Sequence, residues 1–173
     1  MKKKNGFTLV ELLAVIVVLA IIMIIAIPNV LETMNTARKR SFALYIDKIV
    51  TNTQTQYVYD ANGGAIQGAG WYVYDIKTDL GLTGTGSYQG YVTVNAEDVD
   101  NPHYIVDLFD NNYMIVSHDV SALGMPDAND RVIESLDKSQ INNSNLKACE
   151  SAQSRFGATG ASCYTRQGYK ITN

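Results

Sequence analysis

The chain has 173 residues and a mass of 19.0 kDa, room for one compact domain plus a tail and not for two. At 46% hydrophobic and 18% charged it has an ordinary globular composition, which excludes wholesale disorder. A net charge of −3 and a pI of about 5.3 exclude a basic nucleic-acid-binding domain as a reading of the whole chain. The charge is uneven. Lys2, Lys3, Lys4, Arg38, Lys39 and Arg40 all fall within the first forty positions, whereas Ser41–Asn173 holds 8 basic against 15 acidic residues, a net of −7.

Between the two basic clusters lies an apolar run. Leu12 to Ile27 is sixteen residues without a polar side chain, and the stretch from Phe7 is 21 residues broken only by Thr8 and Glu11. About 20 helical residues cross the hydrocarbon core of a bilayer, so this segment is long enough to span. The three lysines before it would hold the front end in the cytoplasm. A plain membrane anchor accounts for the length and leaves Glu11 unexplained. A cleaved secretory signal accounts for the lysines but expects a small-x-small site, and Ala26-Ile27-Pro28-Asn29 is a poor one.

Glu11 is the informative residue. A carboxylate in an apolar membrane helix costs a few kcal/mol on insertion scales and usually has a partner and a function. Nothing cationic lies one or two helical turns away within the apolar segment. A cut between Gly6 and Phe7 would create an α-amine on Phe7, four residues from Glu11, and a neighbouring copy shifted along its axis would set that amine against this carboxylate. The pair would then act as a register device, as a buried polar residue does in a coiled coil. The alternative is a headgroup-level Glu11 facing water.

Lys2-Lys3-Lys4-Asn5-Gly6 followed by Phe7-Thr8-Leu9-Val10-Glu11-Leu12-Leu13 resembles the class III leader and N-terminal segment of type IV pilins and their pseudopilin relatives. The resemblance covers about residues 1–31. It implies that a prepilin peptidase cuts after Gly6 and N-methylates Phe7, and that Glu11 and Phe7 serve assembly. The family tends to carry a proline where Pro28 stands. That proline removes an i→i−4 bond to the Ile24 carbonyl and favours a kink, with local unwinding in the filament; alternatively it ends the membrane segment.

The implied fold is α+β: the type IV pilin fold, a long N-terminal helix packed on a small antiparallel β-sheet head. The implied domains are leader 1–6, membrane and filament-core helix 7–28, amphipathic half 29–60 and globular head 61–173. The implied function is a structural, non-enzymatic pilus subunit in a homopolymer with other copies and minor pilins. Its partners would be prepilin peptidase, an assembly platform and a cytoplasmic ATPase, with the membrane before assembly and no direct nucleic acid. Adhesion, twitching motility and biofilm formation are the family's outputs. A pseudopilin of a type II secretion or competence system, or a membrane-anchored domain that never polymerises, is the alternative. The three leader lysines lean towards a Gram-positive, clostridial-like source.

Beyond the anchor, no Gly or Pro occurs from Asn29 to Asn62, and Phe42, Tyr45, Ile46, Ile49 and Thr53 share one helical face. The pattern predicts helix to about Tyr59, stopped by Asn62-Gly63-Gly64. Arg38, Lys39 and Arg40 read as a solvated turn near the lipid surface, or as a cluster meeting acidic heads of neighbours. The glycine-rich 61–90 stretch lacks a Gly-Lys-Ser/Thr phosphate loop. Within it, Trp71–Leu82 reads as a short ordered piece whose type the sequence leaves open: Tyr72, Ile76 and Leu80 suit a helix turn, and Trp71, Val73 and Asp75 suit a strand less well.

Gly90–Val94, His103–Phe109 and Tyr113–Asp119 read as strands, the last two joined by Asp110-Asn111-Asn112 as a hairpin. Opposing Phe109 to Tyr113 puts Tyr104, Val106, Leu108, Met114 and Val116 on one face and sets His103 with Asp119 on the other. A helix is expected from Asp127 to about Lys138, loop over 139–162, and a last strand within Tyr164–Ile171. Cys149 and Cys163 form an even pair that favours one disulfide, which the resemblance supports, although two reduced thiols remain open. Two histidines and no Gly-x-Ser-x-Gly or His-Glu-x-x-His leave enzyme and metal readings poor, and Glu97, Asp98 and Asp100 lack regular calcium-ligand spacing. No cofactor is implied.

Overall fold

The computed structural model describes residues 8–82, 88–120 and 144–172, with backbone only at 117–118. Helix α1 (Leu9–Asn62) runs 54 residues and continues through Pro28. Strands β1 (Trp71–Asp75), β2 (Gln89–Asn95), β3 (His103–Phe109) and β4 (Met114–Asp119) follow, then helix α2 (Asn145–Phe156) and strand β5 (Cys163–Thr165). The chain divides into two compact units, Met1–Arg38 and Lys39–Asn173.

In the first unit every described residue, Thr8 to Arg38, is exposed. Leu9, Val10, Ile16, Ile22 and Ile25 lie on all sides of the helix, so no face is reserved for a core. A helix apolar all round belongs in lipid or in the middle of an assembly. Its length and composition suffice to cross a membrane.

The second unit is layered helix on sheet on helix. On α1 the buried stripe is Phe42, Ala43, Ile46, Ile49, Val50, Thr53, Tyr57 and Asp60, the face expected from periodicity, with Tyr45 half-buried beside it. It packs on Tyr72, Tyr74, Val92, Val94, Tyr104, Val106 and Leu108 from one side of the sheet. The helix stops three residues later than predicted: Gly63 donates to the Tyr59 carbonyl, Ala65 to that of Asp60, and Gly64 takes φ 78°.

The strand order is β4-β3-β2-β1-β5, and the sheet is mixed, not purely antiparallel as expected. β5 lies parallel to β1, with Trp71 opposite Cys163 and Val73 opposite Thr165. The chain leaves β4 at one edge and enters β5 at the other, and α2, the connection a parallel partner requires, lies over the sheet on the way. α2 occupies a stretch expected to be loop. Ser144 caps it, its hydroxyl accepting from the Lys147 amide, and Gly157 closes it in the left-handed region at φ 68°. Its buried stripe is small and polar (Ala148, Cys149, Ala152, Gln153), so the hydrophobic periodicity was muted.

β1 settles the type left open over Trp71–Leu82 in favour of a strand at its start. Trp71 to Tyr74 are buried in succession because α1 covers one face and α2 the other. A strand buried on both faces loses its alternation and cannot be told from helix by period.

The β3–β4 hairpin pairs Phe109 with Met114 and Leu108 with Ile115, one residue off the expected register, so Ile115 replaces Met114 on the α1 face. An irregularity between Val106 and Leu108 adds a second shift, pairing Ile105 with Asp119. Two shifts restore the original parity, and His103 and Asp119 share a face after all. Gly90, at φ 152°, lets β2 approach β3 so closely that a β-carbon there would collide with the Asp107 carbonyl. The helix expected over Asp127–Lys138 lies outside the described residues.

Candidate processing and assembly site

Gly6 and Phe7, the expected cleavage and methylation residues, lie outside the described residues. The first described residue, Thr8, is not itself helical, and the Leu12 amide donates to the Thr8 carbonyl at 3.2 Å. Thr8 Oγ1 accepts from the Glu11 amide at 3.3 Å. In return, Glu11 Oε2 accepts from the Thr8 amide at 2.8 Å and from the Thr8 hydroxyl at 2.8 Å. This is a capping box: two amides at the helix start, which no intrahelical carbonyl can reach, are satisfied reciprocally.

Glu11 therefore has a partner inside its own chain, and that partner is a neutral threonine and not a cation. The signal was in the sequence, because Thr8-Leu9-Val10-Glu11 is the Thr-x-x-Glu pattern immediately before an apolar run. The carboxylate is drawn back towards the N-terminus, where the positive end of the helix dipole favours it. Both bonds end on Oε2, so Oε1 is not engaged by Thr8.

Pro28 sits inside α1 and is exposed, and the helix neither ends nor restarts there. Arg38 and Arg40 are exposed on the same helix, with Lys39 half-buried.

Among the described residues, further chemistry-bearing side chains are engaged within the head. His103 Nδ1 lies 2.9 Å from Asp119 Oδ2, with the imidazole edge-on to Phe156. In the acidic loop, Glu97 accepts from the Trp71 indole at 3.0 Å and Asp98 from the Asp100 amide at 3.2 Å. Among the described residues no three His, Cys, Asp or Glu side chains are grouped to hold a metal ion. Cys149 and Cys163 are joined in a disulfide with their Cα atoms 6.3 Å apart.

Sequence reasoning missed one polar centre entirely. Asp60 is buried and accepts from Gln56 Nε2 at 2.8 Å, the Tyr74 hydroxyl at 3.3 Å and Arg166 Nε at 3.1 Å. Burial first, and then the Asp60 carboxylate, hold the Tyr74 hydroxyl far above its ordinary range, which keeps it a donor. Asp60 and Arg166 are 106 positions apart, so no local pattern links them.

These observations leave the N-terminus to say what the chain is for, and there residues 1–27 match the family model of the prokaryotic N-terminal methylation motif. That motif is the class III prepilin leader of type IV pilins. The motif supports a type IV pilin or pseudopilin and indicates a structural protein rather than an enzyme. It implies processing by a prepilin peptidase and assembly with other pilins, and with the exposed apolar helix it suits membrane anchoring before assembly. No curated protein and no solved structure matches the chain.

Proposed function

We propose that this chain is the structural subunit of a type IV pilus. It inserts through the front of α1 with its head outside. Prepilin peptidase cuts after Gly6 and methylates the Phe7 amine. The subunit then polymerises, with minor pilins, into an extracellular filament driven by a membrane platform and a cytoplasmic ATPase. The observation that carries this reading is a methylation motif at the start of a helix whose front half exposes apolar residues on every side. Such a surface is stable only in lipid or among copies of itself, and the motif names the route from one to the other.

Within the filament, burial of the apolar front half supplies cohesion, and Glu11 sets the stagger by meeting the Phe7 amine of a neighbour. The Thr8 bonds support this role by holding the carboxylate towards the end of the helix where that amine arrives. Pro28 forfeits one backbone hydrogen bond and is the point at which the helix would unwind as the filament extends. Leader 1–6, core helix 7–28, amphipathic half 29–60 and head 61–173 are the working divisions. Adhesion, twitching motility and biofilm formation are the outputs proposed for the filament.

Mass spectrometry of the mature N-terminus tests processing: an N-methylated Phe7 is expected, and an intact Met1 overturns the reading. Electron microscopy of sheared surface material tests assembly. Long filaments built mainly of this chain are expected; short fibres only would make it a pseudopilin, and none at all a non-polymerising anchored domain.

A further inference from the structure

The last turn of α1 carries no basic residue, yet Asp60 sits in it, buried, at the negative end of the helix dipole. By itself this is a poor place for a carboxylate. The compensating charge comes from Arg166, whose Nε is 3.1 Å from Oδ2 and whose Nη2 is 3.5 Å from Oδ1. The third guanidinium nitrogen, Nη1, donates to the Asp79 carbonyl at 3.1 Å. Arg166 thus ties together the end of α1, the segment after β1 and the C-terminal part of the chain. The following turn packs against the same place, since a β-carbon at Gly168 (φ 80°) would collide with the Ala65 carbonyl.

Arg166 is the first residue after β5, and β5 is weak on its own account. It is three residues long, it is paired to β1 in parallel fashion, and parallel pairing is the less stable kind per residue. The turn behind it adds two hydrogen bonds, from Ile171 to the Cys163 carbonyl and from Thr165 to that of Tyr169, and its one covalent tie is at its first residue, Cys163, bonded to Cys149 on α2. Both cysteines are buried, and Gln153 Nε2 donates to the Ala161 carbonyl beside them at 3.0 Å.

We propose that the disulfide and the Arg166–Asp60 ion pair form one redox-gated latch. With Cys149 and Cys163 joined, β5 stays beside β1 and delivers Arg166 to Asp60, closing the end of α1. With both thiols reduced, β5 is released, Arg166 withdraws and the last turn of α1 opens. Closure is a thiol–disulfide exchange with an extracytoplasmic dithiol–disulfide oxidase. One cysteine thiolate attacks a sulfur of the oxidant's disulfide, and the second displaces that mixed disulfide. The two cysteines lose two electrons and two protons, and the oxidant's disulfide becomes a dithiol. The head is locked onto α1 only after it reaches an oxidising compartment.

Hydrogen exchange on the full-length chain in detergent micelles reads the latch at the Gly63, Ala65 and Ile66 amides, which donate to the Tyr59 and Asp60 carbonyls. The β2–β3 ladder is the internal reference. Arg166→Gln is expected to speed exchange at those three amides about tenfold with the ladder unchanged. The double variant Cys149→Ser/Cys163→Ser should do the same, and adding Arg166→Gln to it should change nothing further. An Arg166→Gln variant with wild-type rates, or a triple variant in which the two effects multiply, overturns the proposal. Should the serine variants fail to fold, the reciprocal effect is read on oxidised protein. Arg166→Gln should then be reduced by dithiothreitol about tenfold faster than wild type, and an equal rate overturns the latch.

Discussion

One helix meets two solvents. From Leu9 to Met34, α1 exposes apolar side chains all the way round, whereas from Phe42 to Tyr57 its buried residues form a single stripe beneath the sheet. Helical geometry is the same in both halves, but the second half takes its stability from a core present in the same chain, and the first half must find apolar surroundings elsewhere. Substitutions should therefore separate cleanly, those in the front half acting on membrane and assembly behaviour and those in the back half on folding of the head.

The largest separation is expected at Glu11. If the proposed pairing holds, Glu11→Lys would place a positive charge against a neighbour's Phe7 amine and should abolish filaments in electron micrographs of sheared material. The urea midpoint of the head, followed by the fluorescence of Trp71, the only tryptophan, should not move. Normal filaments from this variant would mean that stagger is set by something other than the proposed charge pair.

Next comes a matched pair of isoleucines. Ile46 is fully buried under the sheet, while Ile16 is exposed in the front half. Ile46→Ala should cost the head about 2–5 kcal/mol in urea unfolding, from lost transfer energy and the cavity left behind. Ile16→Ala should leave that value within about 0.5 kcal/mol. If the two variants unfold alike, the division of α1 into two environments is wrong. Removing the Cys149–Cys163 bridge, with its sequence separation of 14, should cost about 3 kcal/mol in the same measurement.

The alkaline limb of stability is a smaller and more specific test of the head. Burial, with Tyr57 close by, pushes the Tyr104 hydroxyl from 10.0 up to about 12. The unfolded chain thus loses this proton before the folded one does. The stability that Tyr104 contributes is complete below pH 10 and is lost as the pH rises through the interval to about 12, by at most about 1.4 kcal/mol per pH unit, beside the separate loss from Tyr74. Tyr104→Phe should flatten this limb without affecting the front half of α1. An unchanged slope would show that another group controls it.

The contrast between the two halves also explains what could be read from the sequence. The front half was legible because a sixteen-residue apolar run and the Gly6-Phe7…Glu11 spacing are local patterns. The stripe at Phe42, Ile46 and Ile49 was legible for the same reason, and so was the extent of β3. β1 was obscured because burial on both faces erased its period, and α2 because its buried stripe is Ala148, Cys149, Ala152 and Gln153 rather than large apolar residues. The parallel pairing of β5 and the meeting of Arg166 with Asp60 depend on how the chain returns across the sheet, which no window of sequence contains. At Glu11 the local Thr8-x-x-Glu11 pattern specifies a cap, whereas the charge of Glu11 alone points only to a cation.

That cap supplies the smallest effect and the one that separates the two jobs of Glu11. Thr8→Ala removes the hydroxyl that accepts from the Glu11 amide and donates to its carboxylate, while the Thr8 backbone bond to Oε2 can persist. Loss of an N-cap costs about 1 kcal/mol, so the amides of the first helical turn should exchange about fivefold faster in detergent micelles, with the head unaffected. Thr8→Ser keeps the oxygen and should restore the wild-type rate. If the carboxylate is oriented by this cap for a neighbour's amine, Thr8→Ala should also lower filament yield, but far less than Glu11→Lys, because the charge itself is intact. Faster exchange with an undiminished yield would leave Thr8 a cap and nothing more. Slower assembly with unchanged exchange would mean that the hydroxyl meets the neighbouring subunit directly.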